Sequence, residues 1–362
     1  MSVRIDNFVS VNITRRTAFA EAEYDTAVLV KEGPASNGYY TLSGGGTMNG
    51  SKENPYSAQP YMVDNTEDED IRLFFENGGK CLHLVSIIDV NSESGTGWFV
   101  NGGGPGKELP LNEVVIFGSG VGQPVIGANP TEGIYQKLIL AQVENTSVQS
   151  LTRSGLVYKI NVANNTGDVC AATAAYYTKI LLNDARTIRD YMFTAETVDN
   201  GSQLTDDTDV KACIQNNINC DAYLAGSIRN IGGNDSTGED ITNLFMRIVL
   251  QQVLSNTLLN LLASKIKINQ SGVISVKNAC SAALQRFVNN GYIDTEKLWT
   301  EPDLYVDNEF VVAQDTPITG GYLVHVGKIT KQNIADRQIP NVYILYGDSV
   351  GVRKIVVSGE VF

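Results

Sequence analysis

The stretch between residues 68 and 89 joins a helical pattern to a strand pattern with almost no linker. Its sequence is DEDIRLFFENGGKCLHLVSIID. Acidic residues open it and an apolar run with helical spacing follows. Gly78 and Gly79 then stop the helix, because glycine readily adopts the left-handed conformation found at helix ends. An apolar strand is predicted from residue 80 to residue 89. A helix and a strand joined this tightly must lie against each other, so the stretch predicts an α/β layer.

The rest of the chain predicts further strands and helices around this unit. A strand is expected over residues 24–31, whereas residues 33–60 are rich in glycine, serine, asparagine and proline and are expected to form a loop or a small excursion from the body. Apolar stripes at helical spacing predict two long helices, over 241–262 and 276–288. Strand patterns return from Tyr322 onward. The expected fold class is therefore α/β (α+β), with a mixed β-sheet body packed with helices.

Both ends of the chain alternate between apolar and polar residues, as strands do. The alternation covers residues 1–14 and 355–362. An apolar strand at a chain end exposes unpaired backbone groups, which is an aggregation hazard unless the strand is paired. The arm positions singled out are Phe8, Val9, Val11, Ile13, Ile355, Val357, Gly359 and Val361.

The charge balance excludes two classes of partner. The chain has 27 Lys and Arg residues against 40 Asp and Glu residues, for a net charge of −13. Binding to nucleic acid or to an anionic membrane surface needs clustered basic residues, so neither partner is expected. Direct membrane insertion is not expected either, because the most apolar stretch, 241–262, contains an arginine and several amides. Five cysteines at wide spacing predict free, mostly buried thiols rather than a disulfide framework.

No catalytic, metal or cofactor site is predicted. His83 and His325 lie in predicted strands without metal-ligand spacing. The glycine-rich stretch 102–107 departs from a phosphate-binding loop because Glu108 stands where a Ser or Thr would hold magnesium. The acidic residues at 206–209 suit the start of a helix better than a calcium loop. These observations favour a structural protein without a cofactor. The alternative left open is an α/β enzyme or small-ligand-binding protein with a dispersed, unrecognised site.

Three segments resemble contractile tail sheath proteins, including the phage myovirus tail sheath-like family. IRLFFENGGKCLHLVSI resembles their helix–Gly-Gly–strand segment, and NIADRQIPNVYILYGDSVGVRKIVVSGEVF resembles their C-terminal pattern. FVSVNITRRT resembles the start of the sheath-like family. The matched segments occur in the right order and cover about a quarter of the chain. The family-motif residues are Phe74, Phe75, Asn77, Gly78, Gly79, Asp336 and Arg337.

The resemblance implies a non-enzymatic virion protein of a bacteriophage or phage-like particle. Such a subunit polymerises as a helical homo-oligomer around an inner tail tube, and contracts to drive the tube through the host envelope for genome ejection. The arms of neighbouring subunits would join the sheet of a third by strand addition. The implied partners are the tail tube protein and the baseplate and tail terminator proteins. Assembly would take place in the host bacterial cytoplasm, and the subunit would then be part of the contractile tail of the virion.

These observations predict a division of the chain into five parts. The Gly-rich region 91–167, with strand-like runs, is expected to be a β-rich insertion or subdomain between two parts of one core. The expected parts are an N-terminal arm (1–20), a first part of the α/β core (21–90), the insertion (91–167), a second part of the core with a sheath-like C-terminal domain (168–345) and a C-terminal arm (346–362).

Overall fold

An eight-stranded β-sheet lies at the centre of the structure. The terminal arm positions Phe8 to Ile13 and Ile355 to Val361, and the glycine-rich stretch 102–107, lie outside the described residues. The computed structural model describes residues 23–32, 38–43, 69–79, 81–87, 97–99, 113–118, 123–125, 138–143, 154–161, 169–180, 191–196, 203–306 and 308–349.

Strands dominate the first half of the described chain, and long helices the second half. The strands are β1 (Glu23–Glu32), β2 (Gly38–Ser43), β3 (Cys81–Ile87), β4 (Gly97–Phe99), β5 (Glu113–Gly118), β6 (Gln123–Val125), β7 (Leu138–Val143), β8 (Leu156–Ile160), β9 (Ile218–Leu224), β10 (Ser227–Ile231), β11 (Leu298–Trp299), β12 (Leu304–Val306), β13 (Glu309–Val312), β14 (Thr316–Pro317), β15 (Tyr322–Val326) and β16 (Val342–Tyr346). The helices are α1 (Glu69–Glu76), α2 (Cys170–Thr178), α3 (Asp207–Gln215), α4 (Ile241–Ala263), α5 (Gln270–Asn289) and α6 (Lys331–Asp336).

The central sheet has the strand order β10-β9-β8-β7-β5-β1-β3-β2. Its six inner strands run parallel to their inner neighbours, whereas β10 and β2 pair antiparallel with the sheet at its two edges. Parallel strands are normally covered on both faces, so their sequences are apolar throughout rather than alternating. The strand β7 fits this rule, because all six of its residues are buried. The predicted mixed α/β class is confirmed.

Alternate residues of the inner strands enter two separate apolar clusters. On one face, Ala27 and Leu29 pack with residues of α1, α2, α4 and α5. On the other face, Val28 belongs to the cluster that includes Cys213 of α3. The helices therefore position the sheet in the middle of the body, with most of the helical mass on the first face.

Several local predictions are confirmed. The expected strands at 24–31 and 80–89 are β1 and β3, and the helices expected at 241–262 and 276–288 are α4 and α5. Gly78 has a φ of 90°, so it supplies the left-handed stop of α1. The side chain of Asp206 accepts a hydrogen bond from the Thr208 N–H and caps α3, as the acidic cluster predicted.

Three predictions are wrong. Residues 33–60 contain a strand, β2, because the alternation in Gly38–Ser43 outweighs the turn-forming residues around it. The region 91–167 supplies β5, β7 and β8, which are central strands of the main sheet and not a separate insertion. The C-terminal arm cannot begin at residue 346, because Tyr346 ends β16 and the Ser349 N–H donates to the Tyr292 carbonyl over 2.7 Å.

The C-terminal part of the described chain is built on the pair α4 and α5. Side chains cap both helices: Asp240 accepts from the Asn243 N–H and Asn269 accepts from the Gly272 N–H. The antiparallel pair β15–β16 packs against α5, and the connection between its strands carries α6. No described helix combines the length and apolar character needed to span a bilayer.

Candidate functional site

Within the part of the chain that the structure describes, the hairpin formed by β15 and β16 has no strand paired on either outer edge. Backbone hydrogen bonds join Gly347 N–H to the Gly321 carbonyl (3.1 Å) and Gly327 N–H to the Asn341 carbonyl (3.0 Å) at its two ends. Bonded and non-bonded pairs alternate along an antiparallel ladder, so the register fixes which backbone groups point outward. None of the outward groups has a hydrogen-bond partner among the described residues. They belong to Tyr322, Val324 and Val326 on β15 and to Val342, Ile344 and Tyr346 on β16.

Among the described residues, the segment that pairs with the chain just after β16 lies on the β15 side. The Asp294 N–H donates to the Gly347 carbonyl over 2.8 Å, on the same side as the bond between Gly347 and Gly321. The N–H and the carbonyl of one strand residue face the same neighbour in an antiparallel sheet. The segment around Asp294 therefore continues the β15 side of the sheet, and no described segment pairs with the other side of β16.

One face of the hairpin is anchored in the body, and the opposite face meets β13, where His325 Nε2 lies 3.7 Å from Glu309 Oε2. Val324 is 4% exposed and lies in the apolar cluster shared with α5, and Tyr322 and Ile344 pack against the same cluster. Side chains alternate between faces, so His325 and Tyr343 lie on the opposite face, where their rings are 6.4 Å apart. A strand added at either edge would extend both the apolar layer and this outer face.

The predicted helix–Gly-Gly–strand joint is a tightly packed corner. Phe74 is fully buried, and its ring stacks on Phe117 of β5 at a centroid distance of 6.2 Å. Phe75 contacts Phe74 edge to face at 5.1 Å. A β-carbon at Gly79 would lie 2.2 Å from Cε1 of Phe74, so only glycine fits at this position beside the ring. Gly78 supplies the turn and Gly79 supplies the space.

The end of α1 is also tied to α2. The Asn77 side chain donates to the Leu73 carbonyl over 2.8 Å and closes the last turn of the helix. Lys179 at the end of α2 donates from Nζ to the Asn77 carbonyl over 3.0 Å. The corner therefore links two helices and the sheet into one unit.

The other family-motif residues lie on a different element. Asp336 ends α6, in the connection between β15 and β16, and its carboxylate accepts from the Gln332 side chain over 2.7 Å. Arg337 follows in the left-handed conformation, with a φ of 54°, and ends that helix. Both are exposed. The structure thus places them beside the hairpin and not with the Phe74 corner.

A buried polar cluster, which we call the Lys159 cluster, lies between the sheet and α2. Lys159 Nζ donates to Glu196, lies 3.1 Å from Asp221 Oδ1, and donates to Tyr191 over 3.3 Å and Thr173 over 3.4 Å. Burial would lower the pKa of Lys159, but Asp221 and Glu196 together raise it well above its ordinary value. Burial raises the pKa of Asp221 to about 7, although the charge of Lys159 opposes the shift.

The Lys159 cluster contains the residue types of an acid–base site, but its charged groups are too deeply buried for a substrate to reach them. Lys159, Glu196 and Asp221 are at most 2% exposed. A cleft of about 160 Å³ lies near the turn between α3 and β9, and its lining includes Asn217 and Asn219 but none of the three charged residues. Within the described part of the chain, no group of three His, Cys, Asp or Glu residues could hold a metal ion. The cluster is therefore best explained as an internal brace between β8, β9 and the segment 191–196.

Sequence reasoning missed the Lys159 cluster because its members are not close in sequence. The residues come from β8, α2, the irregular segment 191–196 and β9, so no spacing motif connects them. The one available signal was the lysine at position 159 in an apolar strand, since a buried lysine needs a charged partner.

No protein-family model matches the chain, and no curated protein matches its sequence. Solved structures do match it. A chain of the helical sheath of the anti-feeding prophage (AFP) in its contracted state superposes with a TM-score of 0.60 at 13% identity, over 98% of this chain and 99% of that chain. The chain has the fold of a contractile sheath subunit.

Two further matches agree with this sheath fold. A chain of the AFP baseplate superposes with a TM-score of 0.59 at 13% identity, over 98% of this chain and 97% of that chain. A chain of the contracted PVC sheath complex, from an extracellular contractile injection system, gives a TM-score of 0.50 at 14% identity, over 98% of this chain and 97% of that chain. Identities this low establish the shared fold. The resemblance stated from three short segments is thereby confirmed at the level of fold over nearly the whole length.

Proposed function

We propose that the chain is a structural, non-enzymatic subunit of a contractile tail sheath in a phage or phage-like particle. The observation that carries the proposal is the superposition on the contracted AFP helical sheath over 98% of this chain. A match over the full length leaves little of the chain for a separate activity. The subunit would polymerise around an inner tail tube and contract to drive that tube through the host envelope.

The hairpin edges are the proposed docking sites for the arms of neighbouring subunits. Neither outer edge of the hairpin is paired with a described strand, and the sequence has two segments with strand alternation, at Phe8 to Ile13 and at Ile355 to Val361. Three residues on each edge present both an N–H and a carbonyl outward, so each edge can form up to about six hydrogen bonds with an added strand. At a net of about 0.5–1.5 kcal/mol each, one docked arm contributes about 3–9 kcal/mol.

Arm exchange of this kind produces a helical polymer. The contact joins an arm on one subunit to an edge on another, so the two surfaces differ and the contact can repeat without closing. The bracing of α1, α2 and the sheet supports a subunit that moves as one body while its arms stay attached. Contraction then corresponds to a rigid-body rotation between subunits. The remaining proposed partners are the tail tube protein, the baseplate and the tail terminator, with assembly in the host bacterial cytoplasm and a final place in the tail.

Electron microscopy of the purified full chain tests the proposal. Negative staining should show hollow tubes or rings, and sedimentation should show that their amount rises steeply above a threshold concentration. The alternative of an enzyme or small-ligand-binding protein predicts a small particle of uniform size at every concentration. Uniform small particles that also fail to assemble on a purified tail tube would overturn the proposal.

A further inference from the structure

Lys159 and Asp221 lie on two neighbouring parallel strands, with their side chains on the same face of the sheet. Lys159 belongs to β8 and Asp221 to β9. The residues on either side of each, such as Cys220 and Ala222 beside Asp221, enter the apolar cluster on the second face. Side chains alternate along a strand, so both charged groups point to the first face. The Lys159 Nζ lies 3.1 Å from Asp221 Oδ1, and the carboxyl carbon is one bond beyond that oxygen.

A second carboxylate holds the amine of Lys159. Glu196 accepts hydrogen bonds from Lys159 Nζ and from the Tyr191 hydroxyl. The side chains of Lys159, Glu196 and Asp221 are at most 2% exposed. An amine, a carboxyl group within reach of it and a base on the amine are thus enclosed together, away from bulk solvent. Groups held about 3–3.5 Å apart in this way react far faster than the same groups free in solution.

We propose that Lys159 and Asp221 join in an intramolecular amide (isopeptide) bond, with Glu196 as the base that activates the amine. Lys159 first gives one proton to Glu196. The Nζ lone pair then attacks Cγ of the protonated Asp221 carboxyl, so the C–N bond forms and the C–O bond to the hydroxyl breaks. The hydroxyl leaves with a second proton from Nζ as one water, and Glu196 keeps the first proton. Both reactants belong to the chain, so their deep burial does not prevent the reaction.

Burial favours the neutral groups that the reaction needs. It raises the pKa of Asp221 to about 7, so the carboxyl carries its proton for a substantial share of the time at neutral pH. Burial would also lower the pKa of Lys159, but the two neighbouring carboxylates outweigh it and keep the amine charged. The proton transfer to Glu196 therefore limits the rate, and the bond is expected to form slowly in the folded chain.

A buried amide opposite Asp221 is placed to assist. Asn230 on β10 pairs with Asp221 across the antiparallel ladder and is fully buried. Within the described part of the chain, its side-chain nitrogen and oxygen have no hydrogen-bond partner. Directly opposite residues have β-carbons about 4.5–5.5 Å apart, so the Asn230 amide can donate to the oxygen that Asp221 keeps as the new amide carbonyl. The bond would then satisfy a polar group that is otherwise costly to bury.

The bond would tie β8 covalently to β9. It would close the intervening chain, which carries α2 and α3, into a loop. Such a loop restricts the unfolded chain, so the bonded form should have a higher thermal midpoint than the unbonded form. Asp221 keeps a titratable carboxyl only in the unbonded form, and its pH dependence belongs to that form. This inference concerns chemistry inside one chain and does not depend on a role in a sheath.

Mass spectrometry of the full chain tests the proposal. After incubation of the folded protein at neutral pH, the denatured chain should lack the mass of one water. Trypsin should release no free peptide 154–159, because it does not cleave after an acylated lysine. Peptide 154–179 should instead be recovered covalently attached to peptide 212–229, which carries Asp221.

The attached peptide identifies the group that has been acylated onto the lysine. Attachment to peptide 190–211 would assign the bond to Glu196. Attachment to peptide 230–247, with loss of ammonia instead of water, would assign it to Asn230. Either result would overturn the proposal, as would an unchanged mass with peptide 154–159 released freely.

Variants test the role of the base. Glu196→Gln keeps the shape of the side chain but cannot take the proton, so this variant should retain its full mass while the wild-type chain loses water. Glu296→Gln, at an exposed position, is the matched control and should lose water as the wild-type chain does. Loss of water from Glu196→Gln at the wild-type rate would overturn the assignment of the base. The wild-type peptide map decides whether the bond exists even where a variant folds poorly.

Discussion

Proline at position 326 tests the open edge of β15 without removing the hairpin. The register places the Val326 N–H on the outer edge, so a proline there removes a donor that β16 does not use. Val326 is only half-buried, and proline is tolerated on edge strands. Proline at His325 makes the contrasting change, because its N–H faces β16 and its loss would break the hairpin itself.

The magnitude follows from one lost bond in the docked strand. Val326→Pro removes one hydrogen bond and leaves a carbonyl of the incoming arm without a donor, at a combined cost of about 1–3 kcal/mol. That cost weakens each contact about 5- to 150-fold. Every subunit in a polymer makes the same contact, so the threshold concentration for tube formation should rise by a comparable factor.

The assay is sedimentation of assembled tubes over a range of protein concentrations, with thermal unfolding followed by circular dichroism. Val326→Ala is the matched control, since it shortens the same side chain but keeps the N–H. Assembly of Val326→Pro at the threshold of Val326→Ala would refute the assignment of this edge as a docking site. Unfolding of Val326→Pro at the temperature of a His325→Pro variant would refute the register argument.

Three further predictions concern the arms, the packed corner and the Lys159 cluster. Deletion of residues 355–362 should leave a folded, soluble chain that no longer forms tubes in sedimentation; an unfolded product would place this strand in its own core, and continued assembly would remove it from the mechanism. Gly79→Val should lower the unfolding free energy by about 1–3 kcal/mol, and with it the thermal midpoint, because its β-carbon would lie 2.2 Å from Phe74; a wild-type midpoint would contradict the packing. Asp221 has its pKa raised from 3.8 to about 7 by burial, so the folded state holds a proton that the unfolded state releases between these values. Wild-type stability should therefore fall relative to Asp221→Asn as the pH rises from about 4 to about 7, and parallel pH profiles would contradict the assignment.

Local features of the fold were predictable from sequence, and long-range ones were not. The corner at Gly78 and Gly79 depends on residues within one helix turn, so the pattern was sufficient to predict it. The place of β5, β7 and β8 in the central sheet depends on pairing between distant segments. Glycine-rich connections between these strands resemble the turns of a separate β unit, and nothing in composition separates the two arrangements.

Sequence alone supports a proposal of terminal arms, but it does not locate an edge that could accept them. The arms could be proposed from alternation at the chain ends, because strand periodicity is local. The acceptor could not, since the outward groups of Val342 and Ile344 are defined only by the register of β16 on β15. The Lys159 cluster was missed for the same reason, as it is assembled from four elements that meet only in the fold.

The placement of the hairpin explains how a small contact could move a whole subunit. The hairpin packs on α5, α5 contacts α4, and both helices share one apolar cluster with the sheet, α1 and α2. A force applied along an added strand would be shared by all of its inter-strand hydrogen bonds at once, because these bonds lie perpendicular to the strand. The force then passes through buried apolar packing, which is dense and resists deformation. Under the proposed function the arm contacts therefore stay intact while the body rotates, and the free energy of contraction must come from new contacts between bodies rather than from the arms.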